Sequence, residues 1–173
     1  MQPMEAIQAT KGEVFNIKRA SIGANLKGSK AEVVKSIDAL KIDADDKYFL
    51  KVLANRESTF DRNASVTDKK GRTFEGLYQF GKGALGAVGM TRDEYMGDIN
   101  KQHLAALKYG EQNIKGLEKY VGQTVLGVKV TKAGMMAAAH LGGRGGLEAL
   151  LKGQQRKDMF GTSTLNYLKM FEH

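Results

Sequence analysis

Apolar positions recur at helical spacing along most of this chain, and the interruptions are few enough to place the elements. Residues 1–28 carry only weak periodicity and read as an extended or loosely helical arm packed on the domain. Ser29-Lys30-Ala31-Glu32 has capping-box spacing and opens a short helix with Val33, Val34, Ile37 and Leu40 inward. Asp43 caps a second helix, with Asp45 and Asp46 in the favoured first turn and Tyr48, Phe49, Val52 and Leu53 as its apolar set. From Thr59 to Phe80 the pattern turns polar: TDKKG (67–71) reads as a hairpin tip and RTFEGLYQF (72–80) as the returning strand. Helical spacing then resumes. Thr91-Arg92-Asp93-Glu94 is a second capping box, and residues 98–120 predict a long helix through Ile99, Leu104, Leu107 and Ile114. Thr131 starts an Ala- and Met-rich helix, and 145–151 and 163–171 supply two more. The expectation is a mainly α fold with one small antiparallel hairpin after the second helix.

Composition narrows the function classes. The chain has 173 residues, 42% of them apolar, enough for one domain with a real core, and its one proline, Pro3, leaves no proline-rich spacer. A net charge of +8 favours anionic partners. The basic residues are scattered rather than interleaved with aromatics in a tract, so no nucleic-acid partner is expected. The absence of cysteine excludes disulfides, cysteine-ligated zinc and thiol catalysis. Three histidines, at 103, 140 and 173, without clustered carboxylates point to no metal site, and no cofactor is expected. No stretch has the length of a membrane span. The opening MQPMEAIQATKGEVF lacks a basic segment followed by an apolar one and does not read as a signal peptide. Glycines 142, 143, 145 and 146 follow no strand and precede no Gly-Lys-Ser/Thr, so helix packing is a better reading than a phosphate loop.

One residue sits against the pattern. Glu57 falls at the C-terminal end of the second helix, where the helix dipole disfavours a carboxylate. Departures of this kind mark either a solvated end or a functional group. Here Ser58 and Phe60 come directly after it. The segment ESTFDRNAS (57–65) resembles the E-S-x-F-[DN]-x-x-A segment of lytic transglycosylases in the lysozyme superfamily, and GLYQF (76–80) is similar to that family's G-L-[MY]-Q-[IF]. AAHLGGRGGL (138–147) resembles its A-A-Y-N-x-G-x-G segment, with His140 at the tyrosine and Leu141 at the asparagine position. DMFGTSTLNYLKMF (158–171) looks like the terminal-helix entry of phage-encoded members.

The resemblance implies a lysozyme-like catalytic domain over 29–173 with Glu57 as the acid. It implies Ser58, Gly76, Tyr78, Gln79 and His140 as substrate-binding residues. For His140, a hydrogen-bonded core role stands beside the functional one, and for Tyr78 core packing stands beside sugar stacking. The implied reaction cleaves the β-1,4 bond between N-acetylmuramic acid and N-acetylglucosamine and closes a 1,6-anhydro ring. A hydrolytic muramidase drawing a second carboxylate from Asp61, Asp68 or Glu75 is the alternative, and a non-catalytic wall-binding module of a tail or secretion apparatus is a third. If Phe74 points inward, strand alternation turns Glu75 outward, towards solvent in preference to the cleft mouth. The expected partners are peptidoglycan strands, other anionic envelope polymers, and virion or secretion-apparatus proteins. Delivery would be in a virion or by release from the cytoplasm to the cell wall.

Overall fold

The computed structural model describes residues 26–155 and 163–172. Most of the N-terminal arm, and the start of the 158–171 segment, lie outside them. Seven α-helices and two small antiparallel hairpins make up the described residues, a mainly α (α+β) fold. In chain order these are α1 (Leu26–Asp38), α2 (Ala44–Ser58), the hairpin β1 (Ser65–Thr67) and β2 (Thr73–Glu75), α3 (Lys82–Ala87), α4 (Arg92–Gly97) and α5 (Ile99–Ile114). A 3₁₀ turn at Glu118–Tyr120 and the hairpin β3 (Thr124–Val125) and β4 (Val128–Lys129) come next, then α6 (Lys132–Leu151) and α7 (Thr164–Lys169).

Caps set the helix starts. The Asp43 carboxylate accepts from the Asp46 amide at 2.8 Å, the Thr91 hydroxyl from Glu94 at 3.1 Å, and the Ser163 hydroxyl from Asn166 at 3.1 Å. Each satisfies an amide that the first turn leaves without a helical partner. Helix α6 runs through the middle of the core, buried on nearly every side by α5, α7 and α2. Its alanines and Gly134 are what allow that: Leu168 of α7 lies against Gly134, where a Cβ would stand 2.9 Å from the leucine Cδ1.

The structure departs from the pattern in several places. Helix α1 begins at Leu26, so Ser29 is inside it and caps nothing; its hydroxyl donates instead to the Phe60 carbonyl at 2.7 Å. In α2 Leu50 joins the expected Phe49 and Leu53 in the core, while Tyr48 is 46% exposed and meets Phe171 edge-on. The long helix ends at Ile114, because Lys115 (ψ 124°) leaves the helical region and Gly116 sits in the left-handed one. Within it Leu104 is exposed and Gln102 and His103 are buried, the reverse of what polarity dictates. A second hairpin stands where none was expected, turned by Leu126 and Gly127, both at positive φ as the tight hairpin turn requires. The helix expected over 145–151 is continuous with α6 across a kink at Gly143 (φ 67°, ψ −177°).

Candidate active site

Glu57 closes the last turn of α2 and is 2% exposed. The chain leaves the helix abruptly: Thr59 and Phe60 both take left-handed backbone (φ 54° and 61°), an uncommon pair of non-glycine residues in that region. The turn is pinned from within, since the Ser58 hydroxyl donates to the Ala54 carbonyl at 3.1 Å and accepts from the Asp61 amide at 3.2 Å. Ser58 is therefore a structural clasp that fixes the carboxylate-bearing end of the helix.

The returning strand is short. After Glu75 the chain forms a loop of Gly76-Leu77-Tyr78-Gln79, closed by reciprocal backbone hydrogen bonds of 3.0 Å between Glu75 and Phe80. Gly76 (φ 79°) opens the loop, in a place where a Cβ would lie 2.6 Å from the Tyr95 hydroxyl and 2.7 Å from Gln102 Oε1. Buried side chains of α4 and α5 hold the loop. Gln102 accepts from the Leu77 amide at 2.8 Å and donates to the Arg62 carbonyl at 3.1 Å, and the Tyr95 hydroxyl donates to the Glu75 carbonyl at 2.9 Å. Burial pushes the Tyr95 phenol up, and the charges of Glu57 and Glu75 add to that rise.

Four separated segments meet at Glu57. The Tyr167 hydroxyl of α7 donates to its Oε1 at 3.0 Å, although the two residues are 110 positions apart. His140 Nε2 of α6 is 3.9 Å from the same oxygen and donates to the Tyr78 carbonyl at 2.9 Å. The His140 ring lies between Phe80 and Tyr109, with centroids at 5.6 and 6.2 Å. Gln79, in left-handed backbone, donates to the Gly76 carbonyl at 3.0 Å, while its Oε1 is buried without a hydrogen-bond partner.

The residues divide by role. Glu57, His140 and the Tyr78 carbonyl come together, with Tyr167 added, and Gly76 shapes the loop. Tyr78 is fully buried, so its ring offers no face to a sugar; it packs in the core and its hydroxyl bonds His103 at 2.6 Å. Leu141 is likewise buried. Glu75 turns outward as strand alternation requires, opposite the inward Phe74, but into a groove rather than solvent. That groove encloses about 1070 Å³ and is bordered by Arg72, Glu75, Phe80, Lys82, Met90 and Arg92 among others. The Arg92 guanidinium grips Glu75 with two hydrogen bonds of 2.7 and 2.8 Å, holding its carboxyl below the usual carboxylate range. Phe80 is among the residues bordering the groove, and its ring centroid lies 5.6 Å from that of His140, the histidine beside Glu57. Asp68 is consumed by the hairpin tip, accepting from the Lys70 amide and from the amide and Nε of Arg72.

Tyr167, Gln102 and His103 are the members of this cluster that sequence reading passes over. A signal for the last two exists: with Ala106, Gly110 and Ile114 they complete one buried helical stripe of α5, which Leu104 does not join. The described residues contain no group of three His, Asp or Glu placed to hold a metal ion. No described helix is long and apolar enough to cross a membrane. The chain matches no protein-family model, no curated protein and no solved structure.

Proposed function

We propose that this protein is a peptidoglycan lytic transglycosylase with a lysozyme-like fold, in which Glu57 is both acid and base. The observation that carries the reading is the convergence on Glu57. The four segments that resemble the family in sequence order supply Glu57, the Tyr78 carbonyl, His140 and Tyr167, and these are linked within 3.9 Å at each step. A solvated helix end would have no such shell. A general acid must be held by fixed neighbours at a set position, and this shell holds Glu57 so.

The reaction needs one carboxyl group. Protonated Glu57 gives its proton to the glycosidic oxygen as the C1–O bond of N-acetylmuramic acid breaks. The resulting carboxylate then takes the proton of the same sugar's 6-hydroxyl while O6 bonds to C1, closing the 1,6-anhydro ring without water and restoring the acid. The +8 chain would favour the anionic envelope around its substrate, and delivery in a virion or by release from the cytoplasm is part of the same proposal. Mass spectrometry of muropeptides released from purified sacculi tests it: the expected products end in anhydromuramic acid and are lighter by one water than hydrolysis products.

The groove supports a second reading. Glu75 is a carboxylate kept ionised by Arg92 on the groove wall, as the second group of a hydrolytic muramidase must be. Reducing-end products together with an inactive Glu75→Gln would favour that enzyme. Intact binding to sacculi with no products of either kind would favour a wall-binding module.

A further inference from the structure

We propose that Tyr78 and His103 are positioning residues for Glu57, acting through the Tyr78 carbonyl on His140. The inference rests on the catalytic reading of Glu57 above. It starts from a buried chain of hydrogen bonds whose direction the geometry fixes. The Ser36 hydroxyl has one proton and donates it to the Val33 carbonyl at 2.7 Å. Its contact with His103 Nε2 at 2.8 Å must therefore be one in which the imidazole donates. A neutral ring protonated on Nε2 presents a bare Nδ1, and the Tyr78 hydroxyl, 2.6 Å away, donates to it. Burial, reinforced by the charge of Arg62, lowers the His103 pKa to about 4, so the ring is neutral at physiological pH.

Tyr78 thus has two ends with different tasks. Its hydroxyl is anchored on α5, and its carbonyl receives the Nε2 proton of His140. A carbonyl only accepts, so this contact places the proton of His140 on Nε2 and directs it at the loop. Glu57 Oε1 is 3.9 Å from that nitrogen, beyond hydrogen-bond reach. The carbonyl holds the imidazole proton off the acid, while the Tyr167 hydroxyl donates to the carboxyl. If the loop shifts, the His140 ring can turn its proton towards Glu57 and stabilise the carboxylate, which cannot act as an acid. Gln102 and Tyr95 hold the Gly76 end of the loop, whereas the Tyr78 side chain ties its far end to α5, where Gln79 holds left-handed backbone. Among the described residues, the titratable and charged groups near this pair include Glu57 and Tyr167 with Arg56 over its ring, Tyr109 against His140, and Tyr95 and Arg62 near the loop.

The experiment compares Tyr78→Phe, His103→Gln and His103→Asn. Asparagine puts its amide oxygen near the place of Nδ1 and still accepts from Tyr78; glutamine reaches the place of Nε2 and does not. In lysis of purified sacculi, Tyr78→Phe and His103→Gln should lower kcat about 10- to 100-fold with KM little changed, as expected of a displaced acid. Their pH–rate profiles should lose the neutral-pH end first, because the acid now ionises earlier. His103→Asn should restore most of the rate. Equal loss in both His103 variants, or full kcat and an unchanged profile in Tyr78→Phe, overturns the proposal. The His103 pair alone decides if Tyr78→Phe does not fold. ¹⁵N spectra of the histidine rings keep the test independent of catalysis. The His140 Nε2 signals should move in Tyr78→Phe and His103→Gln and stay in place in His103→Asn; unmoved signals in all three overturn it. A wild-type protein that releases no muropeptide sinks the catalytic reading, and with it this role for the chain, whatever the spectra show.

Discussion

Replacing Gly76 by alanine should cost more than its backbone conformation alone explains, and Gly71 supplies the control. The two glycines have nearly the same φ, 79° and 78°, so alanine meets a similar left-handed penalty at both, about 1–2 kcal/mol. Their surroundings differ. A Cβ at Gly71 meets nothing within 4 Å, whereas one at Gly76 lies 2.6 Å from the Tyr95 hydroxyl, 2.7 Å from Tyr95 Cε1 and 2.7 Å from Gln102 Oε1. Both neighbours are fully buried, and both are held by hydrogen bonds to the same loop. Overpacking of this kind costs about 1–3 kcal/mol, and a broken Gln102–Leu77 bond, leaving a buried amide unpaired, adds about 1–3 kcal/mol. Gly71→Ala should therefore lose about 1–2 kcal/mol and Gly76→Ala about 3–8 kcal/mol, adding the ranges of the three effects. In urea unfolding followed by circular dichroism the two midpoints should separate clearly, with the m-value unchanged. A Gly76→Ala protein within about 1 kcal/mol of Gly71→Ala would show that the loop yields to the methyl group, and that α4 and α5 do not clamp it.

Three further outcomes are expected. Glu57→Gln should fold with a near-native melting curve and lose at least ~10²-fold in lysis of sacculi, the usual cost of a missing general acid; wild-type lysis would remove Glu57 from the mechanism. Since the folded-state pKa of His103 is about 4 against 6.5 for a free imidazole, the unfolded chain takes up a proton first as pH falls. Stability should be full above pH 6.5 and decline towards pH 4, by about 3 kcal/mol for this group. His103→Asn should flatten that slope in urea titrations, and parallel curves would refute the assignment. Finally, binding to sacculi should weaken as salt rises, because exposed charges on a +8 chain are screened over ~8 Å at physiological ionic strength; retention unaffected by salt would take the basic surface out of recognition.

What the sequence determined by itself is local. Capping side chains at Asp43, Thr91, Thr131 and Ser163 start their helices because a hydroxyl or carboxylate a few atoms away satisfies the first amides. The hairpin around TDKKG and the exit of Glu57 at a helix end arise from short-range chemistry in the same way. Tertiary structure decided which side chains changed side. Ser29 has capping spacing, yet the Phe60 carbonyl of another element takes its hydroxyl. Leu104 faces out while Gln102 and His103 go in, because buried partners on Leu77, Arg62, Tyr78 and Ser36 offset the desolvation of their polar groups. Glu75 alternates as a strand residue should, but the Arg92 fork across the groove is a feature no local pattern encodes. Tyr167 lies within the segment that resembles the family's terminal helix, and its hydroxyl gains meaning only when α7 packs on α6 and brings it to Glu57. Hydrogen bonds between residues so far apart in the chain depend on how whole helices pack, and periodicity along one helix carries no record of that.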